Sequence, residues 1–277
     1  MNNTKLAGMN ITYRHYSLDY FLESMTQLGI NHIELWAGEP HLYVYRNVLG
    51  NIRYIRRQLK ARGMKLVCFT PEQCVYPYNI AASDAGWRQK SVDYFTENLY
   101  AAAELETEMM LLTSGIGDFA TPLEEALDYA SDSIYRIARV AEREGLTVVL
   151  EPLTKFESNL ITDLNGIRRV MDQIQSPALK GMIDTVAMQL AGEGPGDYFD
   201  ALPELGHVHL IDGDGVSDAH LGLDDGVLDW RSCLTALQNS QYDGAITLEI
   251  MGFRYYENPQ EVLMKSIAAL RESGFLS

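Results

Sequence analysis

Arg143-Glu-Gly-Leu-Thr-Val-Val-Leu-Glu151 contains the unit from which the fold is read. Upstream of it, Ile134, Ile137, Ala138 and Ala141 recur at helical spacing with polar residues between them, the pattern of an amphipathic helix. Gly145 then supplies the left-handed turn that stops a helix, because it has no Cβ to clash in that conformation. Thr147 to Leu150 is too short for a helix and rich in branched apolar residues, so it reads as a buried parallel strand. Glu151 stands at its carboxyl end.

Outward from this unit, similar apolar runs recur roughly every 30 residues. Leu6–Ile11, His32–Trp36, Lys65–Phe69, Glu108–Thr113, Lys180–Ile183, His207–Ile211 and Ala245–Ile250 join Thr147–Leu150 as predicted strands. Helical stretches lie between them, one carrying Leu18, Phe21, Leu22 and Met25, and Gly29 and Gly63 repeat the helix stop. No linker or charge run divides the chain. The pattern predicts an α/β fold, a (β/α)8 TIM barrel, as a single domain over residues 1–277. An open doubly wound sheet is the rival, but no GxGxxG follows the first strand. Gly192-Glu-Gly-Pro-Gly196 lacks the Lys and Ser/Thr of a phosphate loop and reads as a surface loop. Asp212-Gly-Asp-Gly-Val-Ser-Asp218 has Val216 at a ligand position and no closing Glu, which argues against a calcium loop.

A hydrophobic fraction of 47% over 277 residues is enough for a sizeable core. The net charge of −16 repels phosphate, so nucleic acid and anionic membranes are excluded as partners and a small molecule is favoured. No run approaches the ~18 apolar residues of a membrane span, and Met1–Gly8 lacks the apolar core of a secretion signal. The cysteines Cys68, Cys74 and Cys233 are odd in number and show no metal spacing, which fits a reducing compartment. The expected location is cytoplasmic.

Catalytic groups of such a barrel come from the carboxyl ends of its strands. In the second half of the chain these are Glu151, Asp184 and Glu249, with His209 inside His207-Val-His-Leu210. Any one acidic strand end could equally be a helix cap or a loop ion pair. Three carboxylates converging on one barrel mouth, however, repel one another unless a cation neutralises them. The expected cofactor is one divalent metal ion, Mn, Mg or Co, with Zn as the remaining option. Strand alternation puts His207 and His209 on the same face, so spacing does not choose between them.

A metal ringed by two glutamates from different strands can hold a carbonyl and its neighbouring hydroxyl while a carboxylate removes the proton between them. A second glutamate on the opposite face of that carbon can return a proton and invert the centre.

Longer motifs carry a family resemblance: Ile33-Glu-Leu-Trp-Ala-Gly-Glu-Pro-His41, Phe69-Thr-Pro-Glu72, Tyr76-Pro-Tyr-Asn79, Leu150-Glu-Pro-Leu-Thr-Lys-Phe-Glu-Ser-Asn159, Met182-Ile-Asp184, His207-Val-His-Leu-Ile-Asp212, Ser217-Asp218 with His220, and Leu248-Glu249 with Asn258-Pro259. Together they resemble the sugar isomerase and epimerase family of xylose isomerase-like barrels, most closely its fructoselysine 3-epimerase branch. The resemblance covers nearly the whole chain. It implies Glu151, Asp184, His209 and Glu249 as metal ligands, so it chooses the second histidine of the HxH pair. It also implies Glu151 and Glu249 as the acid and base, and Glu157, six residues after Glu151, as a substrate contact. His220 lies where relatives place an Arg or His near substrate, and Glu72, Trp36 and His41 follow early strands in shared motifs and are further candidate substrate contacts. Ala187 replaces a His that many ketose epimerases carry, and Gly222-Leu-Asp-Asp-Gly226 replaces their Pro-Gly-Glu/Asp-Gly.

The leading expectation is therefore a metal-dependent epimerase acting at C3 of a ketose or fructosamine-type sugar, such as a fructoselysine or psicoselysine. Alternatives are an aldose–ketose isomerase, a metal-dependent lyase or dehydratase on the same ligands, and a sugar-binding barrel without turnover. The multi-metal DNA-repair members of the superfamily are set aside by the charge and by only 6 histidines. A homo-oligomer is expected from the family alone.

Overall fold

The apolar runs become parallel strands: β1 (Lys5–Met9), β2 (His32–Ala37), β3 (Lys65–Pro71), β4 (Met109–Leu112), β5 (Thr147–Leu150), β6 (Leu179–Gly181), β7 (Ile183–Asp184), β8 (Val208–His209) and β9 (Ala245–Leu248). Between and after them lie α1 (Leu18–Leu28), α2 (Leu49–Ala61), α3 (Ala85–Glu104), α4 (Leu123–Glu144), α5 (Leu164–Ile174), α6 (Thr185–Leu190), α7 (Pro195–Ala201), α8 (Trp230–Asn239) and α9 (Pro259–Glu272). These elements come from a computed structural model that describes residues 5–45, 49–202 and 204–276. Part of the N-terminal segment read for a secretion signal, residues 1–4, lies outside them, as do the chain ends of the proposed domain.

The hydrogen-bonded strand order is β6-β5-β4-β3-β2-β1-β9-β8-β7. Only Met182 separates β6 from β7, and its N–H donates to the Leu150 carbonyl at 3.3 Å while Ile183 donates to His207 at 3.1 Å. β6 and β7 are therefore two pieces of one stave, and the ring of eight staves closes through the chain itself. β6 pairs with β5 and β7 with β8, which leaves no free sheet edge among the described residues.

Four runs are shorter in the sheet than in the sequence; Glu108–Thr113 narrows to Met109–Leu112 and Ala245–Ile250 to Ala245–Leu248. The first strand stops at Met9 because Asn10 turns its amide onto the Trp36 backbone, donating to its carbonyl at 2.9 Å and accepting from its N–H at 2.7 Å. That exchange replaces the next rungs of the ladder, and Asn10–Tyr13 forms a 3-10 turn. Of His207–Ile211 only Val208 and His209 lie in the ladder. The expected loop at Gly192–Gly196 is also divided, since Pro195 opens α7, where a missing N–H costs nothing.

Alternation splits the core in two. On β5, Val148 and Leu150 face outward into the large cluster that includes Ile134, Ile137 and Ala138 of α4, while Val149 joins Cys68, Leu111 and Met182 inside the ring. Val149 shares its face with Glu151, so this apolar plug forms the floor of whatever the strand ends build above it. Among the described residues, no helix is long and apolar enough to cross a membrane.

The helix stops read from the sequence are left-handed as expected, with φ of 73° at Gly29, 64° at Gly63 and 70° at Gly145. Gly145→Ala places a Cβ in that conformation, at the end of the longest helix, and is expected to destabilise the barrel by about 1 kcal/mol. A melting curve should show Tm lowered by about 2–4 °C with the cooperative transition retained.

Candidate active site

Glu151 follows β5, Asp184 ends β7, His209 ends β8 and Glu249 follows β9, so four neighbouring strand ends deliver their side chains to one point. One donor atom from each lies within 4.8 Å of the others. His209 Nδ1 stands 2.9 Å from Glu151 Oε1 and 2.9 Å from Glu249 Oε2. Asp184 caps α6 with Oδ1, accepting from the Ala187 N–H at 2.7 Å, which leaves Oδ2 facing the cluster. Asp184 Oδ2, His209 Nδ1 and Glu249 Oε2 are buried without a hydrogen-bond partner. Their lone pairs are close but misaligned for hydrogen bonding, which is the arrangement of donors around a shared cation. Three carboxylates and one imidazole fit a divalent ion.

The orientation of His209 is imposed from below. Its Nε2 faces Glu34 Oε1 at 3.1 Å and Oε2 at 3.2 Å, and Glu34 lies wholly buried on β2. Glu34 also accepts from His207 Nε2 at 2.8 Å and from the Thr70 hydroxyl. A carboxylate at Nε2 keeps a proton there, so Nδ1 is the nitrogen that a cation would deprotonate and take as a donor atom. His207 shares the inward face but sits lower, bound to Glu34 and, at 3.1 Å, to Thr247, so it does not line the pocket.

Electrostatics reflect this crowding. Burial pushes the Glu151 carboxyl up to about 8, with Glu249 and Asp184 adding to the rise and His209 opposing it. Burial likewise raises Asp184. For Glu249 burial acts upward but the His209 and His220 imidazoles outweigh it and hold the group at about 2. Burial works against charge on Glu34 as well, yet His209 and His207 keep it well below the usual carboxylate range. In return, burial lowers His209 while Glu34, Glu249 and Glu151 carry it well above an ordinary histidine.

Above the cluster is a cavity of about 200 Å³ lined by Trp36, Glu72, Glu157, Asp184, His220 and Glu249, among others. His220 sits with Nδ1 3.3 Å from Glu249 Oε2 and Nε2 3.7 Å from Asp218. Burial lowers its proton affinity, but Asp218 and Glu249 together raise it well above an ordinary histidine. Glu157 is pushed up to about 7, by burial first and then by Asp218. Trp36 and Glu72 form one unit, since the indole N–H donates to Glu72 Oε2 at 2.7 Å while the Val75 N–H donates to Oε1 at 2.9 Å. His41 stands behind them. Asn10 lies 2.7 Å from its Nδ1 and the Tyr16 carbonyl 2.9 Å from its Nε2, and the ring is absent from the cavity lining.

Sequence reasoning passed over Glu34, Asp218 and Arg14. Glu34 had a signal: a carboxylate in the middle of an apolar strand, on the same face as Trp36, requires a buried partner. Arg14 follows the 3-10 turn, lies 5.9 Å from the centroid of Trp36 and 5.1 Å from that of Tyr256, and is the sole Lys or Arg on the cavity wall among the described residues. Nothing local in the sequence marks it.

A barrel whose strand ends carry this ligand set defines a class, and the comparison with known families agrees: a family profile of xylose isomerase-like TIM barrels matches residues 22–273. The chain belongs to that family. It is 26% identical over 260 residues to a fructoselysine 3-epimerase of Escherichia coli O157:H7, covering 94% of each chain. It is 27% identical over 237 residues to a D-psicose 3-epimerase of Agrobacterium fabrum, covering 83% of this chain and 78% of that one. Among solved structures it superposes on a D-tagatose 3-epimerase-like protein with a TM-score of 0.80 at 21% identity, covering 97% of this chain and 99% of the other, which shows a shared fold.

Two outcomes follow from the site. Glu151, raised to about 8, gives the ion-free fold a contribution that is fully present below its ordinary value near 4.5 and lost as pH rises through about 8. A divalent cation displaces those protons, so the rise in Tm on adding Mn2+ should be larger at pH 8 than at pH 6. Calorimetric titration in buffers of different ionisation enthalpy should register proton release; equal Tm gains and no release would contradict the assigned ligands. Glu34→Gln keeps the shape but removes the charge that fixes His209, and should weaken Mn2+ binding about 10–100-fold with the fold retained.

Proposed function

We propose that the protein is a divalent-metal-dependent sugar 3-epimerase, acting on a ketose or fructosamine-type sugar. One observation carries the reading. Glu151 and Glu249 come from staves that flank those of Asp184 and His209 on either side, and each brings a carboxylate oxygen to 2.9 Å from the same imidazole nitrogen. Two carboxylates so placed can address one bound carbon from two faces. The relatives named as fructoselysine and psicose 3-epimerases support inversion at C3 over the isomerase and lyase alternatives.

Glu151, Asp184, His209 and Glu249 would hold the ion, which their oxygen-rich set with one imidazole limits to Mn, Mg, Co or Zn. When bound, it supplies Lewis-acid polarisation of the sugar carbonyl and its neighbouring hydroxyl. One of the two glutamates removes the C3 proton, and the substrate becomes an enediolate. The other returns a proton to the opposite face, and C3 is inverted. The reverse reaction exchanges the roles.

His220 beside Glu249 positions that carboxylate and offers a donor to substrate oxygen. Glu157 at the cavity wall accepts from a sugar hydroxyl. The Trp36 ring, locked by Glu72, forms an apolar wall for the carbon skeleton, and His41 supports that wall from behind through Asn10.

Glu249→Gln retains the shape of the site without its basicity. Deuterium uptake at C3 of D-fructose or D-psicose in D2O should fall by about 10²–10⁴-fold, while the melting transition stays cooperative. Inversion at the wild-type rate in that variant would remove Glu249 from the chemistry.

A further inference from the structure

A second cavity, of about 600 Å³, adjoins the first. Gln73, Cys74, Leu153 and Glu157 line both, so the two meet at a shared boundary, or neck, that carries a carboxylate. Beyond the neck the walls are Tyr76, Tyr78, Trp87, Ile116 and Phe156. Trp87 is 45% exposed, Ile116 40% and Phe156 54%, so three large apolar side chains meet solvent beside one another, which a folded chain avoids unless something covers them.

These walls are held in place before any ligand arrives. The Trp87 indole N–H donates to the Pro77 carbonyl at 2.7 Å. Tyr78 stacks on Tyr94 with ring centroids 3.8 Å apart, and its hydroxyl is 2.6 Å from that of Tyr43. The Tyr76 hydroxyl accepts from the Glu39 N–H at 2.8 Å. Fixed rings around an open space lose little entropy when they receive a ligand. Among the described residues lining this cavity there is no Lys or Arg, and the one carboxylate is Glu157 at the neck. The Lys155 ammonium lies over the Phe156 ring at 5.4 Å, and Lys155 is outside the lining.

We infer that this cavity is a subsite for the substituent of a conjugated sugar, and that its occupant is an apolar or aromatic group joined to the ketose through an amine. The inference rests on the epimerase reading of the metal pocket. The sugar fills the smaller cavity, the linking ammonium lies in the neck beside the Glu157 carboxylate, and the tail covers the exposed rings. An amino-acid tail would bring a carboxylate into a space without a cationic partner on its walls. A bare ketose would leave the rings in water. The substrate class is thereby narrowed from ketoses at large to amine-linked conjugates of apolar amines.

The test is binding of reduced sugars that cannot enolise, measured by calorimetry and by Trp fluorescence on the Mn2+-loaded protein. 1-Deoxy-1-(benzylamino)hexitol should bind at least about tenfold more tightly than its methylamino counterpart, because a phenyl-sized surface leaves water. The double variant Phe156→Ser, Ile116→Ser removes two solvent-facing walls and should erase most of that gain while leaving methylamino binding unchanged. No gain from benzyl over methyl, whether both bind or neither does, overturns the inference. So does tighter binding of the equivalent ε-lysyl conjugate than of the benzyl one. Because the hexitols do not react, these results stand apart from C3 deuterium uptake by a ketose, whose absence would instead count against the epimerase reading.

Discussion

The contact between Glu34 and His209 is the constraint on which the rest of the site depends. A carboxylate buried at the centre of a barrel is costly unless charge and hydrogen bonds meet it, and here two imidazoles and a hydroxyl do so. In meeting it, His209 commits Nε2 downward and presents Nδ1 upward. That choice sets the point on which Glu151, Asp184 and Glu249 converge. A neutral residue at position 34 would leave the ring free to turn, and the three carboxylates above would lose their common focus.

The barrel interior is organised around that contact. One half, supplied by β3, β4, β5 and the junction between β6 and β7, is filled by Cys68, Leu111, Val149 and Met182 and is apolar. The other half, supplied by β2, β9 and the residue leading into β8, carries Glu34, Thr247 and His207 and is polar. Polar groups so deep are tolerated because each finds a partner within the same layer. Higher up, the loop after β8 is built in the same way: buried Asp212 accepts from the N–H groups of Gly213, Asp224, Gly226 and Leu228. The segment Gly222–Gly226 is thus a structured rim, and just before it the Asp212–Leu221 bridge holds the chain where His220 stands beside Glu249.

Much of this could be read from the linear chain. The strand positions and helix stops are local properties, set by branched apolar runs and by glycines that alone adopt positive φ without strain. The four strand-end side chains could be collected because the barrel obliges strand ends to share one face. Other residues were hidden for identifiable reasons. Glu34 belongs to a strand whose acidic residue lies before its end, so a search of strand ends misses it. His41 occurs in a motif shared with sugar epimerases, yet the fold places it one layer behind Trp36 and Glu72. Met182, inside an unbroken apolar run, marks no boundary in sequence, but the stave breaks there because its two halves bond to different neighbours.

By itself the sequence determined that eight strands alternate with helices and that three carboxylates and a histidine end up at one mouth, because these follow from periodicity and from the direction of the chain. Only the tertiary structure decided which nitrogen of His209 faces the cluster, which carboxylate lies beneath it, and that an aromatic cavity opens beside the metal pocket. The first two outcomes depend on the contact of Glu34 with His209, far apart in the chain, and the third on residues gathered from several segments between Gln73 and Glu157; local spacing carries no record of which distant side chains meet.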